Sequence, residues 1–148
     1  MIYDIKLFNQ IKDNKFLDIS SLIFRSVEIK NEVVLKDPKE KHLRKILNFG
    51  HTLGHAIESF YLESEDKENL THGEAIAIGM VCECYMASKL LEFPIEKVNA
   101  VKDVITSIYN KTNLLKKDFQ SILSLLKHDK KKRKWADKFC SLKWLWEF

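Results

Sequence analysis

The sequence predicts an all-α protein, a helical bundle, on three observations. Glycine and proline are scarce: 4 and 2 among 148 residues, roughly a third of the usual share, which leaves little material for the turns of a sandwich or barrel. Apolar residues recur at intervals of three and four along successive segments, the period of a helix with one buried side. Residues that cap helices stand at the starts of several of those segments.

The first segment, residues 2–15, places Ile2, Ile5, Phe8 and Ile11 at helical spacing. Asp18 or Ser20 caps a second, with Leu22, Ile23, Val27, Ile29 and Val33 on its apolar side. Asp37 then reads as an N-cap, Pro38 as the first helical residue and Glu40 as the third residue after the cap. The third helical pattern that follows, Leu43, Ile46, Leu47, Gly50, Leu53, Gly54, Ile57 and Tyr61, runs to about residue 62. Residues 63–69 are a charged, polar loop. Thr71, with Glu74 three residues later, is a capping box for a fourth helix over about residues 73–91. That helix is apolar nearly all round (Ala75, Ile76, Ala77, Ile78, Met80, Val81), so it belongs at the centre of the bundle. Pro94 opens a fifth, with Ile95, Val98, Val101, Ile105 and Ile108 inward. Residues 118–128 form a sixth through Phe119, Ile122, Leu125 and Leu126. No internal repeat is present, and the last twenty residues have no clear period.

Apolar residues make up 45% and charged residues 31%, the composition of a globular domain with a real core. No run of 18 uncharged apolar residues exists; the nearest, residues 75–91, carries Glu83 and Lys89, so no membrane span is expected. No signal peptide is read at the start. Cys82, Cys84 and Cys140 form neither a C-x-x-C pair nor an even framework, which predicts a reduced, cytoplasmic setting. The net charge of +4 is uneven: residues 127–138 sum to +5 and the rest to −1. Such a run is either a solvated tail or an attractor for phosphate, on nucleic acid or on a small substrate. No aromatic-interleaved groove or helix-turn-helix pattern points to nucleic acid.

All four glycines (Gly50, Gly54, Gly73, Gly79) and three of five histidines (His51, His55, His72) fall between residues 50 and 79. Glycine within a helix costs about 0.5–1 kcal/mol relative to alanine, so a glycine-poor chain that spends its glycines here needs close backbone approach, to another helix or to a ligand. Arg44, Asn48, His51 and His55 are spaced by 4, 3 and 4, which on one helix is a single polar stripe without an acid. A guanidinium, an amide and two imidazoles suit anionic, hydroxylated ligands and metals. His51 and His55 form an H-x-x-x-H pair that can share a zinc ion, but Thr52 stands where a zinc protease needs Glu. Ordinary surface or core histidines remain the alternative. His72 stands at the start of the buried helix, either as a residue within the capping box or as a neutral, ligating imidazole. Glu40 is either part of the Asp37 cap or a carboxylate one turn before Arg44 that can accept a proton. Lys30 reads by itself as a solvent-facing helix lysine, and Cys82 and Cys84 as core.

Taken together, the run from Arg44 through Asn48, His51 and His55 to Glu58, followed by His72-Gly-Glu-Ala-Ile-Ala-Ile-Gly-Met80, closely resembles the C-terminal domain of 3-dehydroquinate synthase. Ser26-Val-Glu-Ile-Lys30, Asp37-Pro-Lys-Glu40 and His128-Asp-Lys-Lys131 fit the same family in the same order, so the likeness covers about residues 5–131.

The resemblance implies a helical domain over residues 1–131, truncated at its N-terminus, with a divergent basic, Trp-rich tail over residues 132–148. It implies a cyclase that converts 3-deoxy-arabino-heptulosonate 7-phosphate to 3-dehydroquinate in the shikimate pathway, with loss of phosphate. The family uses a divalent metal, usually zinc with cobalt as an alternative, and NAD held by an N-terminal α/β domain. By resemblance, His51 and His72 are metal ligands and Glu40 and His55 acid/base residues. Lys30, Arg44, Asn48 and His55 hold the substrate, with Lys130 (or its neighbour Lys131) near its phosphate. His55 thereby moves from the metal, where spacing alone puts it, to proton transfer. The implied partners are a small sugar phosphate and a second copy of the full-length protein, with no nucleic acid and no membrane.

The NAD-binding α/β domain is absent from this chain, which has no glycine before Gly50 and no glycine-rich phosphate loop. Residues 1–6 do not reproduce the family's Ala-Glu-x-x-Lys segment, so the chain is expected to own two of three protein ligands. Such a piece is expected to be inactive alone. The competing expectations are a non-catalytic helical remnant or binding module, and a related sugar-phosphate cyclase.

Overall fold

The computed structural model describes residues 3–13, 18–109 and 111–129. Among these the chain forms six α helices and one 3-10 helix, with no strand. In order they are α1 (Ile5–Lys12), α2 (Ile19–Lys36), the 3-10 helix (Leu43–Asn48), α3 (His51–Glu63), α4 (His72–Leu90), α5 (Ile95–Ile108) and α6 (Asp118–Asp129). The Trp-rich tail, Lys130 and Lys131 lie outside the described residues.

Local signals place most helix starts. Asp4 accepts the N–H of Leu7 at 3.0 Å to begin α1, and Asp18, not Ser20, accepts that of Ser21 at 2.7 Å to begin α2. The box at α4 closes on both sides: Thr71 Oγ1 accepts from Glu74 N–H, and Glu74 Oε2 accepts from Thr71 N–H at 2.8 Å. Arg25 on α2 ties α1 down through Asp4, Nη2 to Oδ2 at 2.9 Å.

The third helix departs from expectation. Pro38 does not open it: Asp37 instead collects the N–H groups of Lys41, His42 and Arg44, at 2.9, 2.7 and 3.1 Å. Glu40 adopts a left-handed backbone, φ 52°, so an α helix cannot run through it. Only the 3-10 helix forms before the chain breaks at Gly50, φ 80° and ψ −17°. The expected 38–62 helix is therefore a capped turn, a 3-10 helix and α3.

The core has two parts. Phe49, Cys84, Ala87, Phe93 and Val98 join α4 to α5, and Ala56, Ile57, Tyr61, Ile122 and Leu126 join α3 to α6. Each large apolar side chain fully buried contributes about 1.5–3 kcal/mol. Helix α4 packs against both α3 and α5, the central place its all-round apolar character predicts. Several expected inward residues are instead at the surface. Leu7 is buried on α1 while Ile5 is 63% exposed; Ile23 and Val27 on α2, Ile95 and Ile108 on α5, and Phe119 on α6 are also exposed. Val104 takes the inner place on α5. Periodicity finds a face but not its exact phase.

Glycine supplies the close approach between α3 and α4. A Cβ at Gly50 would stand 2.5 Å from Met80 Cγ and 2.7 Å from the Ile76 carbonyl oxygen. A Cβ at Gly79 would overlap the carbonyl oxygen of Gly50 and stand 2.6 Å from the N–H nitrogen of Gly54. Backbone therefore lies on backbone where the helices cross, and the neighbour approached is a helix.

Candidate metal centre

That crossing brings two helix starts together. His51 is the first residue of α3, His55 lies one turn on, and His72 is the first residue of α4. Ring centroids are 5.4 Å apart for His51–His55, 6.0 Å for His51–His72 and 5.6 Å for His55–His72. One nitrogen from each ring falls within 4.8 Å of the others. His51 is half-buried, and His55 and His72 are exposed.

Hydrogen bonds fix which nitrogen is available. Nδ1 of His51 lies 3.2 Å from the carbonyl oxygen of Phe49. Nδ1 of His72 lies 3.1 and 3.3 Å from the two carboxylate oxygens of Glu58. Carbonyl and carboxylate oxygens only accept, so Nδ1 carries the proton in each ring. Nε2 is then the bare lone pair when the ring is neutral, as in histidines that hold metals.

Three neutral imidazoles suit a borderline-soft divalent cation. Tetrahedral zinc with bonds near 2.1 Å needs nitrogens roughly 3.4 Å apart, so the rings must close by about 1 Å, which the exposed His55 and His72 side chains can do. The residues present fit such an ion. They do not fit NAD, because no glycine-rich phosphate loop occurs in the chain.

The other expected site residues divide. Arg44 and Asn48 do not continue a stripe with His51 and His55, since the break at Gly50 puts the first two on the 3-10 helix and the others on α3. Glu40 is not part of an α-helix cap; its Oε1 accepts from Asn48 Nδ2 at 2.7 Å. The structure thus joins Glu40 and Asn48 directly. Arg44 donates from Nη1 to the Pro38 carbonyl oxygen at 3.2 Å. Lys30 is exposed on α2, the helix that packs against the 3-10 helix.

Two acids matter that residue-by-residue reading left without a role. Glu58, three residues after His55, orients His72; its helical spacing from His55 is the signal that finds it. Glu83 appears in the sequence only as a charge interrupting an apolar run. In the structure it is fully buried, and its Oε2 accepts the N–H of Gly50 at 2.9 Å. Burial pushes its carboxyl up to about 7, against the opposing pull of the backbone N–H groups of Gly50, Leu53 and Thr52. Burial also raises both described thiols, Cys84 to about 12, so neither is a reactive thiolate.

Comparison with known proteins shows the family of the chain. The sequence profile of the family described as 3-dehydroquinate synthase C-terminal matches residues 1–132. A 3-dehydroquinate synthase of Parabacteroides distasonis is 39% identical over 131 residues, 88% of this chain and 35% of its own length. That of Methylacidiphilum infernorum is 42% identical over 139 residues, covering 90% of this chain and 37% of the relative. That of Thermoanaerobacter pseudethanolicus is 36% identical over 152 residues, 98% and 42% of the two chains. The chain thus spans about two-fifths or less of these relatives. No solved structure matches. On this profile and these identities, the chain belongs to the 3-dehydroquinate synthase C-terminal family.

Proposed function

We propose that this chain is the metal- and substrate-binding part of a 3-dehydroquinate synthase, a carbon–oxygen lyase. The reaction is the phosphate-eliminating cyclisation of 3-deoxy-arabino-heptulosonate 7-phosphate to 3-dehydroquinate, a step of the shikimate pathway in the cytoplasm. The convergence of His51, His55 and His72 carries the reading, because the helix starts that the family motif joins in sequence also meet in space.

In this reading His51 and His72 hold a divalent cation, zinc before cobalt, through Nε2. The ion supplies Lewis acidity toward a substrate oxygen. His55 stands beside that pair and takes up or returns a proton at its ring nitrogen. Glu40 is the second acid/base group, held by the Asn48 amide, whose own oxygen remains an acceptor for a substrate hydroxyl. Arg44 and Lys30 contribute positive charge toward the anionic substrate, and Lys130 serves its phosphate. By the family resemblance NAD is held by a domain outside the residues matched here, and the isolated chain is inactive without it. By resemblance to the full-length family, the working assembly is a homodimer.

The test has two parts. Titration of the 148-residue chain with Co2+ should change the ion's visible absorption as imidazole nitrogens replace water, and absence of any change overturns the metal reading. Mixing the metal-loaded chain with the NAD-binding part of a relative should release phosphate from the sugar phosphate. A folded, metal-loaded mixture that releases none overturns the reaction.

A further inference from the structure

We propose that Glu83 is a positioning residue for His51, acting through the single peptide group between Phe49 and Gly50. This rests on the reading of His51 as a ligand. The N–H of that peptide, on Gly50, donates to Glu83 Oε2 at 2.9 Å. The C=O of the same peptide, on Phe49, accepts from Nδ1 of His51 at 3.2 Å. A peptide group is planar and stiff, so the acid that aims its N–H also aims its C=O, and with it the imidazole.

The start of α3 needs an acceptor from outside its own turn. Gly50 is the N-cap of α3 and has no side chain to accept the first N–H groups of the helix. The crossing with α4 forbids a side chain at Gly50 and buries the turn away from water. Glu83 arrives from α4, the helix that begins at His72. One rigid element therefore carries one ligand directly and sets the other through the peptide. The second oxygen of Glu83, Oε1, is buried with no hydrogen-bond partner. An apolar side chain here would leave the buried N–H of Gly50 without this acceptor, so the acid both satisfies the start of α3 and fixes the direction of the peptide that holds His51.

The experiment compares Glu83→Gln, Glu83→Met and a remote core control, Val104→Ala, in the 148-residue chain. Nitrogen-15 NMR reads the tautomer of the His51 ring without metal, and Co2+ absorption reads the loaded site. Glu83→Gln keeps an acceptor and should keep the Nδ1–H tautomer. Glu83→Met should mix the His51 tautomers and weaken Co2+ binding by about 10–100-fold. Val104→Ala should change neither, although it lowers the melting temperature. Glu83→Met with an unchanged His51 tautomer overturns the inference. So does a Gly50 amide in the unsubstituted chain that exchanges as fast as an exposed one, a measurement that needs no variant. Absence of Co2+ binding by the unsubstituted chain overturns the metal reading, while the tautomer measurement still decides the role of Glu83.

Discussion

The rings of His51 and His72 stand 6.0 Å apart, centroid to centroid, across 21 positions of sequence. Each is the first residue of a helix, and each has Nδ1 occupied by an acceptor. Removing either imidazole should break the site without breaking the fold, because His72 is exposed and His51 only half-buried. We expect His72→Ala to weaken Zn2+ binding by about 100-fold or more and to change the melting temperature of the metal-free chain little. Adding metal at 100 times its Kd should stabilise the unsubstituted chain by about 2.7 kcal/mol, and a chelator should reverse this. Calorimetric titration and thermal unfolding check both.

Glu58 aims His72. Its carboxylate fixes the tautomer and the orientation of the ring. Glu58→Gln can present its amide nitrogen to Nδ1 and favour the wrong tautomer. Metal affinity should fall about tenfold, with stability nearly unchanged, as read by titration against a competing chelator.

Gly79→Ala should be far more damaging than an ordinary glycine-to-alanine change in a helix. Alanine is the better helix former, so propensity alone predicts a gain of about 0.5–1 kcal/mol. The new methyl would instead meet the Gly50 carbonyl oxygen and the Gly54 nitrogen, both backbone. Separating the helices should cost about 1–3 kcal/mol and open the gap between His51 and His72. Denaturant unfolding gives the first quantity and Co2+ absorption the second.

Glu83 also sets a pH dependence. Its carboxyl titrates near 7 in the folded chain and near 4.5 when unfolded. Between those values the folded chain binds the proton and the unfolded chain does not, so stability from this group is full below pH 4.5 and is lost as pH rises through about 7. The span is on the order of 3 kcal/mol. Glu83→Gln stays neutral like the protonated acid and should remove this slope, so the melting temperatures of the two chains should lie close together at low pH and separate by pH 8, where the unsubstituted chain melts lower.

Much of the fold was legible because its signals are local. A cap acts over three residues, so Asp18 and the Thr71–Glu74 box appear directly in the sequence and again in the structure. The all-apolar character of α4 likewise announced a central helix. The break at Gly50 was not legible, since Leu43, Ile46, Leu47 and Gly50 keep helical spacing while the chain runs through a 3-10 helix and a left-handed turn. Glu83 was hidden for a related reason: its partner, the Gly50 N–H, lies 33 residues away.

The sequence by itself determined the helical class, the start of α4, the concentration of histidine and glycine between residues 50 and 79, and the likeness to one enzyme family. Those properties depend on composition and on near neighbours. Only the tertiary structure decided that the glycines serve a crossing of two helices, that three imidazoles meet there, and that Glu58 and Glu83 orient them. Contacts of that kind depend on where the backbones cross, a property of the packed molecule that no short stretch of chain contains.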